Sequence, residues 1–294
     1  MKNTSKNLYP KKYAYIYILP GVLVLALLTL VPFFYNVYLG MTDYTPFKPG
    51  QTKFIFLENY WNLLSSRAFY EMLIRTLTYV ICAVSIEFFL GFGLALLFQA
   101  DFRYKRLLRS IIILPMVATP IAVSYLFKIM YNPKSGVLNY FLSLFGIRGI
   151  EWTSSHSFAM MSVILVDVWQ WTPYIFIILC SGIAALPCDP FEAAIVDGAT
   201  FWQSIRRVMV PLLKPIITIA LVLRTVDALK TFDTIFVLTG GGPGVATETI
   251  NIRIFLDAFK YMYMGQASAL GMVMIVLVGV ICNFMVKKGG MNLE

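Results

Sequence analysis

The sequence predicts an all-α, polytopic membrane protein with six transmembrane helices, and three observations carry that reading. Apolar residues make up 59% of the 294 and charged residues only 13%, with a mean hydropathy of +0.75, far more apolar surface than the core of a soluble domain of this length needs. Six apolar stretches, at about 14–40, 72–99, 107–131, 158–182, 211–238 and 265–286, are long enough to cross the roughly 30 Å of a bilayer's hydrocarbon. They are apolar all round. The short alternating segments of a β-barrel are missing.

The first stretch, 14–40, is too long for a signal-peptide core and lacks a small-residue cleavage site, so it is expected to be a retained helix. After it, 54–70 is aromatic-rich (Phe54, Phe56, Tyr60, Trp61) and fits an interfacial anchor. The second stretch holds Glu87 among Phe88, Phe89 and Leu90, which leaves three readings open: a neutral acid, a pair with another span, or a partner interface. Gly91 and Gly93 are expected to allow close helix approach. In the third stretch Pro115 and Pro120, and in the fourth Pro173, remove backbone donors and should kink their helices. Asn132-Pro133-Lys134-Ser135-Gly136 signals a turn, and Val137 to Leu142 a short lid-like or re-entrant helix. His156 reads as a loop residue near the outer surface. The connections are too small for independent cores, so residues 1–294 are expected to form one transmembrane domain.

Orientation follows from the excess of Lys and Arg in cytoplasmic loops. With both termini inside, that side holds Lys2, Lys6, Lys11, Lys12, Arg103, Lys105, Arg106, Arg109, Arg206, Arg207, Lys214, Lys287 and Lys288, while the outside holds Lys48, Lys53, Arg67, Lys134, Arg148, Arg253 and Lys260. The net charge of +9 therefore reads as topology and attraction to anionic membrane lipid, with no nucleic acid implied. The four cysteines, Cys82, Cys180, Cys188 and Cys282, have no C-x-x-C spacing. With one histidine, no phosphate loop of the G-x-x-x-x-G-K-[ST] type and no H-E-x-x-H pair, no catalytic, metal or cofactor site is expected on this chain.

Between the fourth and fifth stretches lies a loop at 187–207 unlike either neighbour. Asp189-Pro190 is a helix-start signal, so a short helix is expected over about 190–197, ended by Gly198. Ala193 and Ala194 keep that helix thin, Glu192 and Asp197 make its ends acidic, and Arg206 and Arg207 stand nearby for local pairing or partner contact. An ordinary inter-helix turn is the plain alternative. Beyond the fifth stretch, Leu238-Thr239-Gly240-Gly241-Gly242-Pro243-Gly244 ends a helix, and the absence of a following Lys argues against a phosphate cradle.

Polar side chains within spans are candidates for a solute path, because an ionisable group in hydrocarbon costs at least ~2.5 kcal/mol on insertion scales and usually faces a cavity or a partner. Asp167, Gln170, Trp171 and Tyr174 share one face of the fourth helix, and Arg224, Asp227, Ala228 and Thr231 one face of the fifth, with Lys230 and Asp233 beside them. An aromatic plate with donors and acceptors suits a sugar. The competing reading pairs Arg224 with Asp227, and Lys230 with Asp227 or Asp233, as structural ion pairs at helical spacing.

The run Glu192-Ala193-Ala194-Ile195-Val196-Asp197-Gly198 followed by Val208-Met209-Val210-Pro211 resembles the EAA loop of ABC importer permeases. The glycine loop, the stretch Asp167 to Tyr174 and the stretch Asn132 to Asn139 are similar to the carbohydrate-uptake, maltose-type branch of that family. The resemblance covers nearly the whole chain and implies a type I ABC importer permease fold. It implies a coupling role for Glu192, Ala193, Ala194, Asp197, Gly198 and Pro211, and an outer-loop role for Gly240, Gly241, Gly242 and Pro243. It also implies that Gln170, Trp171, Tyr174, Arg224, Asp227, Ala228 and Thr231 face the substrate path. The implied partners are a second, non-identical permease, two ATP-binding subunits that carry ATP and Mg, and an extracytoplasmic solute-binding protein. The setting is the bacterial inner membrane, and the solute an oligosaccharide or related polyol. An ion-coupled secondary transporter is the alternative, although no half-to-half similarity favours it. An intramembrane enzyme would need a nucleophile and base that the sequence does not group.

Overall fold

The structure, a computed structural model, describes residues 11–48, 50–147 and 149–289, with side chains from residue 15 onward; Lys2, Lys6 and Arg148 lie outside the described residues, as do the side chains of Lys11 and Lys12. The helices are α1 (Lys11–Gly40), α2 (Glu58–Ser65), α3 (Arg67–Leu97), α4 (Lys105–Val117), α5 (Pro120–Met130), α6 (Val137–Leu144), α7 (His156–Ala184), α8 (Asp189–Val196), α9 (Phe201–Ser204), α10 (Val210–Leu229), α11 (Asp233–Leu238), α12 (Ile250–Phe255) and α13 (Met264–Gly289). Among the described residues no strand forms, and one isolated antiparallel bridge joins Thr42 to Phe54. The described residues divide into two compact units, those up to Ser65 with Leu256–Val273, and those of Ser66–Phe255 with the ones from Met274 onward.

In the first unit the chain leaving α1 turns back on itself. Asn59 is buried and donates to the carbonyls of Gly40, at 3.0 Å, and Thr42, at 2.8 Å. These two bonds satisfy carbonyls left open where α1 ends. The 54–70 segment carries Phe54, Phe56 and Trp61 exposed.

In the second unit α3, α7 and α10 form the packed centre. Phe98, Ile175, Phe176, Leu179, Ile183, Ile205, Met209 and Leu213 close into one apolar cluster, with Phe98 and Phe176 edge to face at 5.0 Å. Gly91 makes the α3–α7 crossing possible, because a Cβ there would lie 2.8 Å from an Ile175 methyl. Gly93 has no such neighbour within 4 Å, so of the two glycines expected to allow close approach only Gly91 does so.

Among the described residues five helices are long and apolar enough to span a bilayer, and a sixth span exists only if α4 and α5 count as one. The third span is therefore not a kinked rod over 107–131; α4 and α5 meet at 96°. Pro120 pushes Thr119 into extended backbone (φ −67°, ψ 140°), Ala118 is extended as well, and two such residues end a helix outright. In contrast, α7 runs unbroken through Pro173.

The fifth span also departs from its expected range of 211–238. It is one helical rod from Phe201 to Leu229, containing a wide π-type turn at Ile205–Met209. Thr200 and Gln203 form a reciprocal capping box at its start. The π turn precedes Pro211, which has no N–H to offer and whose ring needs room. The rod stops at Leu229, and the polar residues Lys230 and Thr231 separate it from α11. His156, expected in a loop, is the first residue of α7 behind the N-cap Ser155.

Gly91→Ala is expected to lower thermal stability in detergent, because overpacking of a tight crossing costs about 1–3 kcal/mol. Gly93→Ala should be neutral or slightly stabilising, and a fluorescence-detected melting curve of both variants checks the contrast.

Candidate functional site

The site grows from one arginine. Arg224 lies on α10 with 1% of its side chain exposed, and it reaches two other helices. Its Nε donates to Glu87 Oε2 on α3 at 2.6 Å and its Nη2 to Glu87 Oε1 at 2.8 Å, a bidentate fork. Nη2 also donates to Asp167 Oδ2 on α7. Both carboxylates are as buried as the guanidinium. The guanidinium carbon stands 5.4 Å from the centre of the half-buried Trp171 ring, within cation–π range.

This arrangement decides two questions that the sequence left open. Glu87 is paired with another span. Arg224 does not pair with Asp227; its partners lie 137 and 57 residues away along the chain. Lys230 does meet Asp227, at 3.6 Å, with both side chains more than half exposed, a pair that contributes little in solvent.

Beside this triad opens a cavity of about 290 Å³, lined by Asp167, Trp171 and Arg224 within the bundle and by Asp227, Lys230, Thr231 and Asp233 where α10 gives way to α11. Of the residues expected on the substrate path, Trp171, Arg224, Asp227 and Thr231 line this space. Tyr174 stands next to Trp171, ring centres 6.5 Å apart, without lining it. Ala228 is buried. Gln170 is fully buried, and its Nε2 donates to the Ala118 carbonyl at 3.0 Å, so it satisfies an acceptor freed at the α4–α5 break. Asp167 Oδ1 is buried without a hydrogen-bond partner and belongs to a residue of the cavity wall.

The loop between α7 and the long rod holds α8 at Asp189–Val196, close to the expected range. Asp189 is its first residue rather than its N-cap; Cys188 occupies that position and makes no side-chain cap. Gly198 has φ +74°, its N–H donates to Ile195 O at 3.0 Å, and the Ala199 N–H donates to Ala194 O at 2.9 Å, a left-handed stop that glycine provides at little strain. Phe191 packs on the central cluster, while Glu192, Ala193 and Asp197 are exposed. Ile195, Val196, Phe201 and Trp202 are exposed large apolar groups around the same turn. No ion pair joins Arg206 or Arg207 to Glu192 or Asp197 among the described residues. Pro211 sits in the rod just past the π turn.

The glycine loop is firmly held. Gly240 and Gly241 have positive φ, Thr239 and Thr247 hydroxyls meet at 2.6 Å, and Thr247 also donates to Gly242 O at 2.9 Å. The Gly242–Pro243 bond is cis. Arg75 and Thr76 of α3 bond the chain just after the loop, through Glu248 O at 3.1 Å and the Ile250 N–H at 3.0 Å.

Spanning helices around a polar cavity, with a short solvent-facing helix between two of them, define a membrane transport subunit. The chain belongs to the family of binding-protein-dependent transport system inner membrane components, whose profile matches residues 87–288. It is 34% identical to the trehalose/maltose transport system permease of Thermococcus litoralis, over 94% of this chain and 93% of the relative. To the trehalose transport system permease of Mycobacterium tuberculosis it is 30% identical, over 98% and 92%. Its fold is that of a type I ABC importer permease: a bacterial alginate ABC transporter, solved in complex with an alginate pentasaccharide-bound periplasmic protein, matches with a TM-score of 0.82 at 22% identity, over 97% of this chain and 96% of that one. Family membership sets aside the ion-coupled alternative.

Removing one partner from the triad leaves a buried charge uncompensated, which costs about 3–5 kcal/mol. Arg224→Met is therefore expected to lower the yield and melting temperature of the purified protein sharply, and adding Glu87→Gln with Asp167→Asn should recover most of both. Thermal melts of the single and triple variants measure this.

Proposed function

We propose that this chain is one of two non-identical permease subunits of an ATP-driven, binding-protein-dependent importer of an oligosaccharide or related polyol. The observation that carries the coupling part is α8, a short helix anchored by Phe191 yet exposed along Glu192, Ala193 and Asp197. A rigid, thin, exposed helix joined to α7 on one side and to a long spanning rod on the other is suited to a cleft on a cytoplasmic subunit. The exposed apolar groups beside it, Ile195, Val196, Phe201 and Trp202, form a patch that invites a protein partner.

In this reading ATP and Mg are held by two partner subunits, and no catalytic site lies on this chain. Glu192, Ala193, Ala194, Asp197, Gly198 and Pro211 shape the coupling element, and both termini lie in the cytoplasm. Gly240, Gly241, Gly242 and Pro243 form an outer loop within reach of an extracytoplasmic binding protein. The sugar assignment draws on the relatives named for trehalose and maltose transport, and on the cavity, where Trp171 offers a ring face and Thr231, Asp227 and Lys230 offer hydroxyl partners. Trp171, Tyr174, Arg224, Asp227 and Thr231, with Gln170 and Ala228 behind them, would form this subunit's side of the path.

In proteoliposomes containing the assembled transporter, Glu192→Lys and Gly198→Asp are expected to reduce substrate-stimulated ATPase by about tenfold or more, the effect of losing one interface anchor of about 1.4 kcal/mol. Melting temperature should stay near that of the wild type. Undiminished stimulation in both variants would remove the coupling role from α8.

A further inference from the structure

The cavity beside the triad carries more acid than base, and that imbalance bears on which solute it accepts. Arg224, its most buried cation, is fully engaged by two carboxylates, with its fork closed on Glu87 and a third bond to Asp167. Lys230, the other cation, stands 3.6 Å from Asp227. Asp233 also lines the cavity, and no ion pair reaches it among the described residues. Three acids of the cavity wall, Asp167, Asp227 and Asp233, thus stand with two bases, Arg224 and Lys230, and Glu87, behind the wall, is already paired with Arg224.

We propose that this cavity selects neutral polyhydroxylated solutes and rejects anionic ones, with Asp233 and Asp227 as specificity-determining residues; the proposal rests on the sugar-importer reading above. The physical basis is like-charge repulsion in a site partly removed from water. A carboxylate entering the cavity finds no uncompensated cation among the described residues, and it meets like charge at Asp227 and Asp233 near the solvent and at Asp167, buried in the wall, where screening is weakest. A neutral sugar meets no such barrier, and the carboxylate oxygens accept bonds from its hydroxyls. One face of Trp171 is occupied by the guanidinium, which leaves the other for a sugar ring.

The test is direct binding of radiolabelled solutes to the purified, assembled transporter without its binding protein, so that the selectivity of that protein does not enter. The probes are trehalose and the same disaccharide oxidised to its uronic acid. The wild type is expected to favour trehalose at least about tenfold. Asp233→Asn should raise the uronate-to-trehalose ratio severalfold and Lys230→Gln should lower it, two opposite shifts that a general loss of folding does not produce. Preference for the uronate, or a ratio moved by neither substitution, would overturn the proposal while leaving the sugar reading intact. Binding of neither probe would overturn the proposal, and ATPase stimulation by a solute that is not a polyol would overturn the sugar reading as well.

Discussion

A guanidinium cannot sit unpaired in the middle of a helical bundle, and that single constraint organises the second unit of this protein. Arg224 has to find acids within reach, and the acids within reach lie on α3 and α7. Satisfying one side chain therefore brings three helices to a common point at a fixed height. Apolar packing alone would leave their relative rotation loosely specified, since Leu, Ile and Phe exchange positions at modest cost. The ion triad fixes it. The same point forms the wall of the cavity, so the feature that sets the register of the bundle also shapes the space a solute would enter.

The apolar elements were largely legible in the sequence, because length and composition alone distinguish a spanning helix. The ranges for the first, second, fourth and sixth stretches, and the short helix ended by Gly198, lie within a few residues of the observed elements. What composition could not reveal is where a run of apolar residues changes direction. The third stretch, 107–131, is mostly apolar on both sides of Ala118 and Thr119, yet Pro120 holds Thr119 in extended backbone and Ala118 is extended as well. The fifth apolar stretch runs past the end of its helix because Ile235 to Leu238, in α11, is as apolar as the span. Its true start, the capping box of Thr200 and Gln203, is written in polar residues.

The site was legible by face but not by partner. Helical spacing groups Trp171 with Asp167, and Arg224 with Asp227 and Thr231. It says nothing about which acid meets which base across helices, because spacing reports only on one helix at a time. Glu87 shows the limit most clearly. A lone acid in an apolar span is a signal that something must answer it, and the answer lies 137 residues further on. Gln170 is similar: it lies on the face expected for a solute, but its amide donates to the Ala118 carbonyl, a need created by a helix break that the sequence did not place.

The rod from Phe201 to Leu229 has a mechanical meaning. From its first residue to Arg224 it spans ~35 Å at 1.5 Å per residue, so a tilt of about 3° would carry the guanidinium roughly 2 Å sideways. A forked hydrogen bond does not survive such a displacement. If a push on α8 swings this lever, α3 and α7 must swing with it as one rigid crank, and the bending must be taken up where no helix continues: at Ala118 and Thr119 on one side, and at Lys230 to Phe232 on the other. Pro120 and Phe232, at those two joints, line the cavity, so any bending there would change its shape.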